Sequence, residues 1–182
     1  AETLRDSLSD WLDADDNIQD LGAEDSDYES KRFPYLAANN FMAHKSELRM
    51  VNGVELAWLS DLMPLVCAIP LVDELKLNVN TIDQEHAAIL AATTGLDIGQ
   101  AKDVLSSRPE DGFQKPDDFL QLKQVTALTL SDERKKWFDV TSNHFILHTK
   151  TKYNNATFSM ATVFAVGPDN NVTVLRREFG GI

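Results

Sequence analysis

The sequence predicts an α+β fold, mostly helical over residues 1–135 and built of antiparallel strands over 136–182. Three observations predict it. Apolar residues recur at helical spacing up to about residue 135, and beyond Trp137 the period falls to 2. Charge divides the same way. Residues 1–30 carry eleven acids against Arg5 alone, a local charge of −10, whereas residues 134–182 carry seven bases against three acids, a local charge of +4. Composition, at 43% hydrophobic and 25% charged residues, is that of a globular chain and not of a disordered one. The 182 residues leave room for one good-sized domain or a domain with an appendage.

Leu4, Leu8, Trp11 and Leu12 fall at i, i+4, i+7 and i+8, one apolar stripe of a first helix. Ser46 is placed to cap a short helix carrying Leu48 and Val51, which Asn52-Gly53 stops. A further helix runs from about Val54, with Leu56, Leu59 and Leu62 inward, until Pro64 restarts or kinks it. Thr81 and Gln84 have capping-box spacing ahead of Ala87, Ala88, Leu90 and Ala91. Asp97 and Gln100 repeat that spacing before Ala101, Val104 and Leu105, and Pro109 closes the segment. Pro116 suits the first turn of another helix, ahead of Phe119, Leu120 and Leu122.

In the strand region Phe145, Leu147 and Tyr153 alternate with His144, His148, Lys150 and Lys152. Asn154-Asn155 makes a turn, and Phe158, Met160, Phe164 and Val166 mark the next strand. Gly167-Pro168-Asp169-Asn170 makes a second turn before a last strand that begins with Val172 and Val174 and ends near Phe179. Three antiparallel strands alone make a thin sheet that needs more strands or a helix to cover one face.

Familiar chemistries find little footing. Cys67, the sole cysteine, lies in the apolar run LMPLVCAIP, whereas a catalytic thiol needs an electropositive site with a base nearby. Of the four histidines (His44, His86, His144, His148), only His144 and His148 have suggestive spacing, and on a strand they stand ~13 Å apart. GxSxG, HExxH, P-loop and GxGxxG patterns are absent, and nothing argues for an enzyme. No apolar run reaches ~18 residues, so nothing here is expected to span a bilayer. The opening AETLRDSLSDW is not a signal peptide, so any targeting or anchoring segment is expected outside these residues. The net charge of −12 repels phosphate backbones and argues against general nucleic-acid binding.

One stretch nevertheless raises that alternative. LNVNTIDQEHAAILAATTGLDIGQAKDVLSSRPEDGF has the order of a helix-hairpin-helix/SAM-like unit, a device that in DNA-binding proteins offers hairpin N–H groups to a phosphate. Here Leu96-Asp97-Ile98 separates Gly95 from Gly99 and places a carboxylate in the cradle, which favours a packing module.

The strongest chemical feature is DWLDADDNIQDLGAEDSDYE. Calcium takes six to eight oxygen ligands from carboxylates, carbonyls and water. Asp13, Asp15 and Asp16 stand just past the first helix, and Glu24, Asp25 and Asp27 follow Gly22, which can turn the chain back. The spacing is not that of an EF-hand loop, and a solvated acidic loop is the competing reading.

The order DSLSDWLDADD, GAEDSDYE, SELRMVNGV, LMPLVCAIP, LNVNT, SRPEDGF and FDVTSNHFIL resembles the K-type minor pseudopilin of type II secretion systems (general secretion pathway protein K) across essentially the whole chain. The resemblance implies a pilin-like protein with a large helical domain inserted into its sheet, the final strands completing that sheet. It implies an N-terminal inner-membrane helix and at least one earlier strand, neither among these residues, with this portion in the periplasm. It implies partnership with the I-type and J-type minor pseudopilins at the pseudopilus tip, and a part in starting pseudopilus assembly for protein export. It also implies calcium in the helical domain, carried here onto Asp13, Asp15, Asp16, Glu24 and Asp25, with Asp20 and Asp27 as further candidates. In an oxidising periplasm it makes Cys67 one half of a disulfide whose partner lies outside the 182 residues; the other reading is a buried free thiol.

Overall fold

The computed structural model describes residues 1–70 and 72–180, which divide into two units, Ala1–Val72 and Asp73–Ile182. The border between the units lies ahead of the later helices, which group with the strands.

The first unit opens with α1 (Glu2–Leu12), followed by the acidic loop and the short α2 (Asp25–Glu29). Trp11, Ala23, Tyr28 and Val51 form its buried core, with Leu4, Leu8 and Tyr35 packed around them. Trp11 meets Tyr28 edge-on at 5.3 Å between ring centroids. The apolar stripe expected on α1 is only partly covered: Leu12 is exposed, while Asp6, Ser7 and Asp10 on the adjoining flank are buried. The acidic loop supplies backbone N–H groups to that flank, which is what makes burial of carboxylates tolerable.

A 3-10 turn, Lys45–Met50, stands where the short helix was expected, capped by His44 rather than Ser46; Glu47 Oε1 accepts the His44 N–H at 2.9 Å. Gly53 ends this turn at φ +79°, a backbone state glycine adopts without strain. Helix α3 (Leu56–Leu62) buries Leu59, but Leu56 faces solvent at 76% exposure, because this helix is two turns long and covers one residue deeply. At Pro64 it tightens into a 3-10 turn, Met63–Leu65. The apolar LMPLVCAIP run then continues without regular structure, and Cys67 is exposed and free, which corrects the buried-thiol reading.

The second unit contains a pairing that helical periodicity could not show. β1 (Leu77–Asn78) pairs in parallel with β2 (Phe138–Asp139), and between them lie α4 (Ala87–Thr94), α5 (Ile98–Ser106), α6 (Pro116–Leu120), α7 (Lys123–Thr126) and α8 (Asp132–Lys135). Residues up to 135 are therefore not all helical. One core joins these elements, with Val79, Leu90, Ala101, Val104, Phe119 and Phe138 nearly inaccessible. The Thr81–Gln84 box does not form. α4 begins at Ala87, Gln84 Nε2 donates instead to Lys102 O (3.1 Å) and Ser106 Oγ (3.0 Å), and Asp83 Oδ1 accepts the His86 N–H. The Asp97–Gln100 box does form, with Asp97 Oδ1 accepting the Gln100 N–H at 2.8 Å.

β3 (His144–Tyr153), β4 (Ala156–Val166) and β5 (Val172–Phe179) make an antiparallel sheet in the order β3-β4-β5, with the two turns where the asparagine and glycine signals placed them. Phe145 pairs with Phe164, and a bulge at Val163/Phe164 shifts the β4–β5 register. Phe145, Leu147, Phe158 and Phe179 share one largely exposed face, the thin-sheet condition that the strand count predicts.

Candidate metal site

The acidic loop folds back against α1 because two aspartates one turn apart on that helix accept its amides. Asp10, fully buried, takes the Ala23 N–H at 2.8 Å on Oδ2 and the Gln19 N–H at 3.2 Å on Oδ1. Asp6 Oδ2 accepts the Leu21 N–H at 3.3 Å, and Arg5 donates to Asp6 Oδ1 at 2.7 Å, a contact that holds the Asp6 carboxyl below its usual range. Gly22 lies against the Asp10 carboxylate. A Cβ at residue 22 would overlap it, standing 2.8 Å from Cγ. Gly22 is thus required for close approach, a different reason from the turn expected of it.

This return brings Glu24, the N-cap of α2, down beside the end of α1. Glu24 is 4% exposed, and no hydrogen bond reaches either of its carboxylate oxygens. Asp13 Oδ1, at the C-cap of α1, is likewise buried without a partner. Burial, followed by the charges of Asp10, Asp13, Asp16 and Asp25, pushes the Glu24 carboxyl up to about 7. A buried carboxylate among carboxylates, with both oxygens unsatisfied, is a costly arrangement unless a proton or a cation offsets it.

The expected ligands separate accordingly. Asp13, Asp16 and Asp25 lie close enough for their charges to act on Glu24. Asp25 also turns Oδ1 to the Ala37 N–H at 2.9 Å. Asp15 Oδ1 accepts the Asn17 N–H at 2.9 Å, and Asp27 Oδ2 accepts the Glu24 N–H at 3.2 Å; both side chains lie at the surface. Asp20 is exposed, and its charge bears on Arg5. Among the described residues, no three His, Cys, Asp or Glu side chains converge tightly enough to enclose an ion. The donor chemistry nonetheless suits a hard cation: all oxygens, several of them charged, two of them orphaned on one buried residue. Asp10 was missed in the sequence. Its only signal there is an i, i+4 pairing with Asp6 beside an apolar stripe, which any solvated helix flank also shows.

At the helix hairpin, Gly95 ends α4 in the left-handed region and Asp97 fills the start of α5 with its own carboxylate. The N–H groups that a phosphate would use are thus faced by a negative charge. No helix among the described residues is long and apolar enough to cross a membrane.

A two-unit α+β chain with an acidic, cation-suited loop is the class that fold and site define, and comparison places it among components of bacterial secretion machinery. A sequence profile described as "Type II secretion system (T2SS), protein K" matches residues 1–71, and a second of the same description matches 77–141. Type II secretion system protein K of Aeromonas hydrophila is 37% identical over all of this chain and 55% of its own length. The Pseudomonas aeruginosa protein of that name is 34% identical over 97% of this chain and 51% of its own length. A chain in the crystal structure of the GspK-GspI-GspJ complex from the enterotoxigenic Escherichia coli type 2 secretion system superposes with a TM-score of 0.86 at 29% identity, covering 100% of this chain and 64% of that one. The chain belongs to the type II secretion system protein K family. It spans about half the length of the curated relatives it matches.

Proposed function

We propose that these residues are the periplasmic body of a minor pseudopilin that joins I-type and J-type partners at the pseudopilus tip, helps start pseudopilus assembly at the inner membrane, and holds calcium in its acidic loop. The observation that carries the assembly role is the superposition of the whole chain on one from a complex of K, I and J proteins. The work of such a subunit is done by interfaces and needs no catalytic group. Cys67 is reachable, as a disulfide to a cysteine outside the 182 residues requires.

Asp13 from the end of α1 and Glu24 from the start of α2 would hold the ion, with Asp16 and Asp25 beside them and Asp15, Asp20 and Asp27 at the rim. Bound calcium supplies positive charge that offsets the repulsion among these acids and gives the orphaned oxygens a partner. Asp27 fixes the entry to α2 through the Glu24 N–H, and Asp25 ties the loop to Ala37.

Co-purification with the I-type and J-type proteins tests the assembly role: a stable ternary complex is expected, and its failure to form would sink the reading. Melting curves test the ion. Calcium at a hundredfold excess over Kd should add about 2.7 kcal/mol, magnesium much less, because it demands a smaller octahedral shell. Identical melting in calcium, magnesium and chelator would leave only a solvated acidic loop.

A further inference from the structure

Asp10 has a buried carboxylate that the ligand assignment does not use. It is 0% exposed, and its two oxygens are committed to the Gln19 and Ala23 N–H groups at 2.8–3.3 Å. Those amides bracket the tightest part of the returning loop, and Ala23 is the residue directly before Glu24. Gly22 sits between them with no room for a side chain against Asp10. The neighbouring acids differ. Glu24 is also buried, yet its oxygens have no partner, and Asp13 Oδ1 is likewise unpartnered. One acid is held by two backbone donors, and two present unpaired oxygen.

We propose that Asp10 is a positioning residue for the cation site: with Gly22 it forms an anchor that folds the loop onto α1 and sets Glu24 beside Asp13 before any ion arrives. This rests on the calcium reading above. A carboxylate already turned to two amide N–H groups is engaged in holding the loop, and a loop already closed spares the ion the entropy of ordering about ten residues. Outer partners that orient metal ligands commonly control affinity in this way.

The test compares Asp10→Asn, Gly22→Ala and the double variant by calcium calorimetry and by amide hydrogen exchange in chelator. Asp10→Asn turns one acceptor oxygen into a donor facing an amide; Gly22→Ala pushes the carboxylate aside. Each is expected to lose exchange protection at Gln19 and Ala23 with no metal present, and to bind calcium about 10- to 100-fold more weakly. The double variant should be no worse than the poorer single one, since both break one anchor. Retained protection along α1 and β4 shows that each variant is folded. Lost affinity with unchanged protection in Asp10→Asn would make Asp10 a ligand and overturn the proposal. Lost protection with unchanged affinity would overturn it too. Absence of any calcium heat with the unaltered chain would instead remove the calcium reading on which it rests.

Discussion

Glu24 carries a carboxyl pushed up to about 7, and the direction of that shift fixes a pH dependence. The folded chain without metal holds the Glu24 proton more tightly than the unfolded chain, whose carboxyl has the ordinary value near 4.5. Its contribution to stability is therefore complete below that value and is lost as pH rises toward about 7, on the order of 1 kcal/mol per pH unit. In chelator, melting temperature should fall between pH 5 and pH 7.5 more steeply for the unaltered chain than for Glu24→Gln. Equal slopes would mean the carboxyl is not held protonated. The window is clear of Asp6, Asp83 and Asp132, whose carboxyls are held below their usual range and stay ionised throughout it. The acidic residues marked a candidate site in the sequence, but not which of them the fold buries. Which carboxylate is buried, which is tied to an amide and which faces water depends on how residues 14–23 return to α1, and periodicity says nothing about an aperiodic loop.

Helix ends were legible where a local hydrogen bond decided them. The Asp97–Gln100 box closes within four residues, so no distant contact could override it. Asp97→Ala should cost about 1 kcal/mol, read as a lower denaturant midpoint. Thr81→Ala should change stability by less than about 0.5 kcal/mol, because the Thr81 hydroxyl only donates to Asn78 O at an exposed position and caps nothing. A cost at Thr81 matching that at Asp97 would contradict this account of the second unit. The Thr81–Gln84 spacing misled because Gln84 reaches α5 instead, eighteen residues away in sequence. The α1 stripe read correctly for Leu4, Leu8 and Trp11, whereas the exposure of Leu12 and the burial of Asp6, Ser7 and Asp10 depend on the loop that covers the adjoining flank. Pro116 at the first turn of α6 and the turns at Asn154 and Asn170 read correctly, since ring geometry and positive φ are properties of single residues.

For the molecule as a whole, the switch of period near Trp137 located the strands, and the order of motifs located the family. What stayed hidden was a long-range closure. β1 and β2 are two residues each, too short to leave a period, and they meet across the whole stretch that carries α4 to α8. The Leu77 N–H reaches Trp137 O at 2.7 Å, and the Val79 N–H reaches Asp139 O at 2.9 Å. Every buried member of the second unit's core cluster, from Val79 to Phe138, lies within the stretch that this clasp closes. A stretch whose two ends are held side by side behaves like a cassette: it can be carried on a host chain, or lifted out of one, without the host's ends having to move. Residues 76–141 made as a separate polypeptide should accordingly melt cooperatively, with Phe119 still inaccessible to solvent. The chain would then be a mosaic whose helical piece has its own folding autonomy and whose sheet was interrupted, or continued, around it.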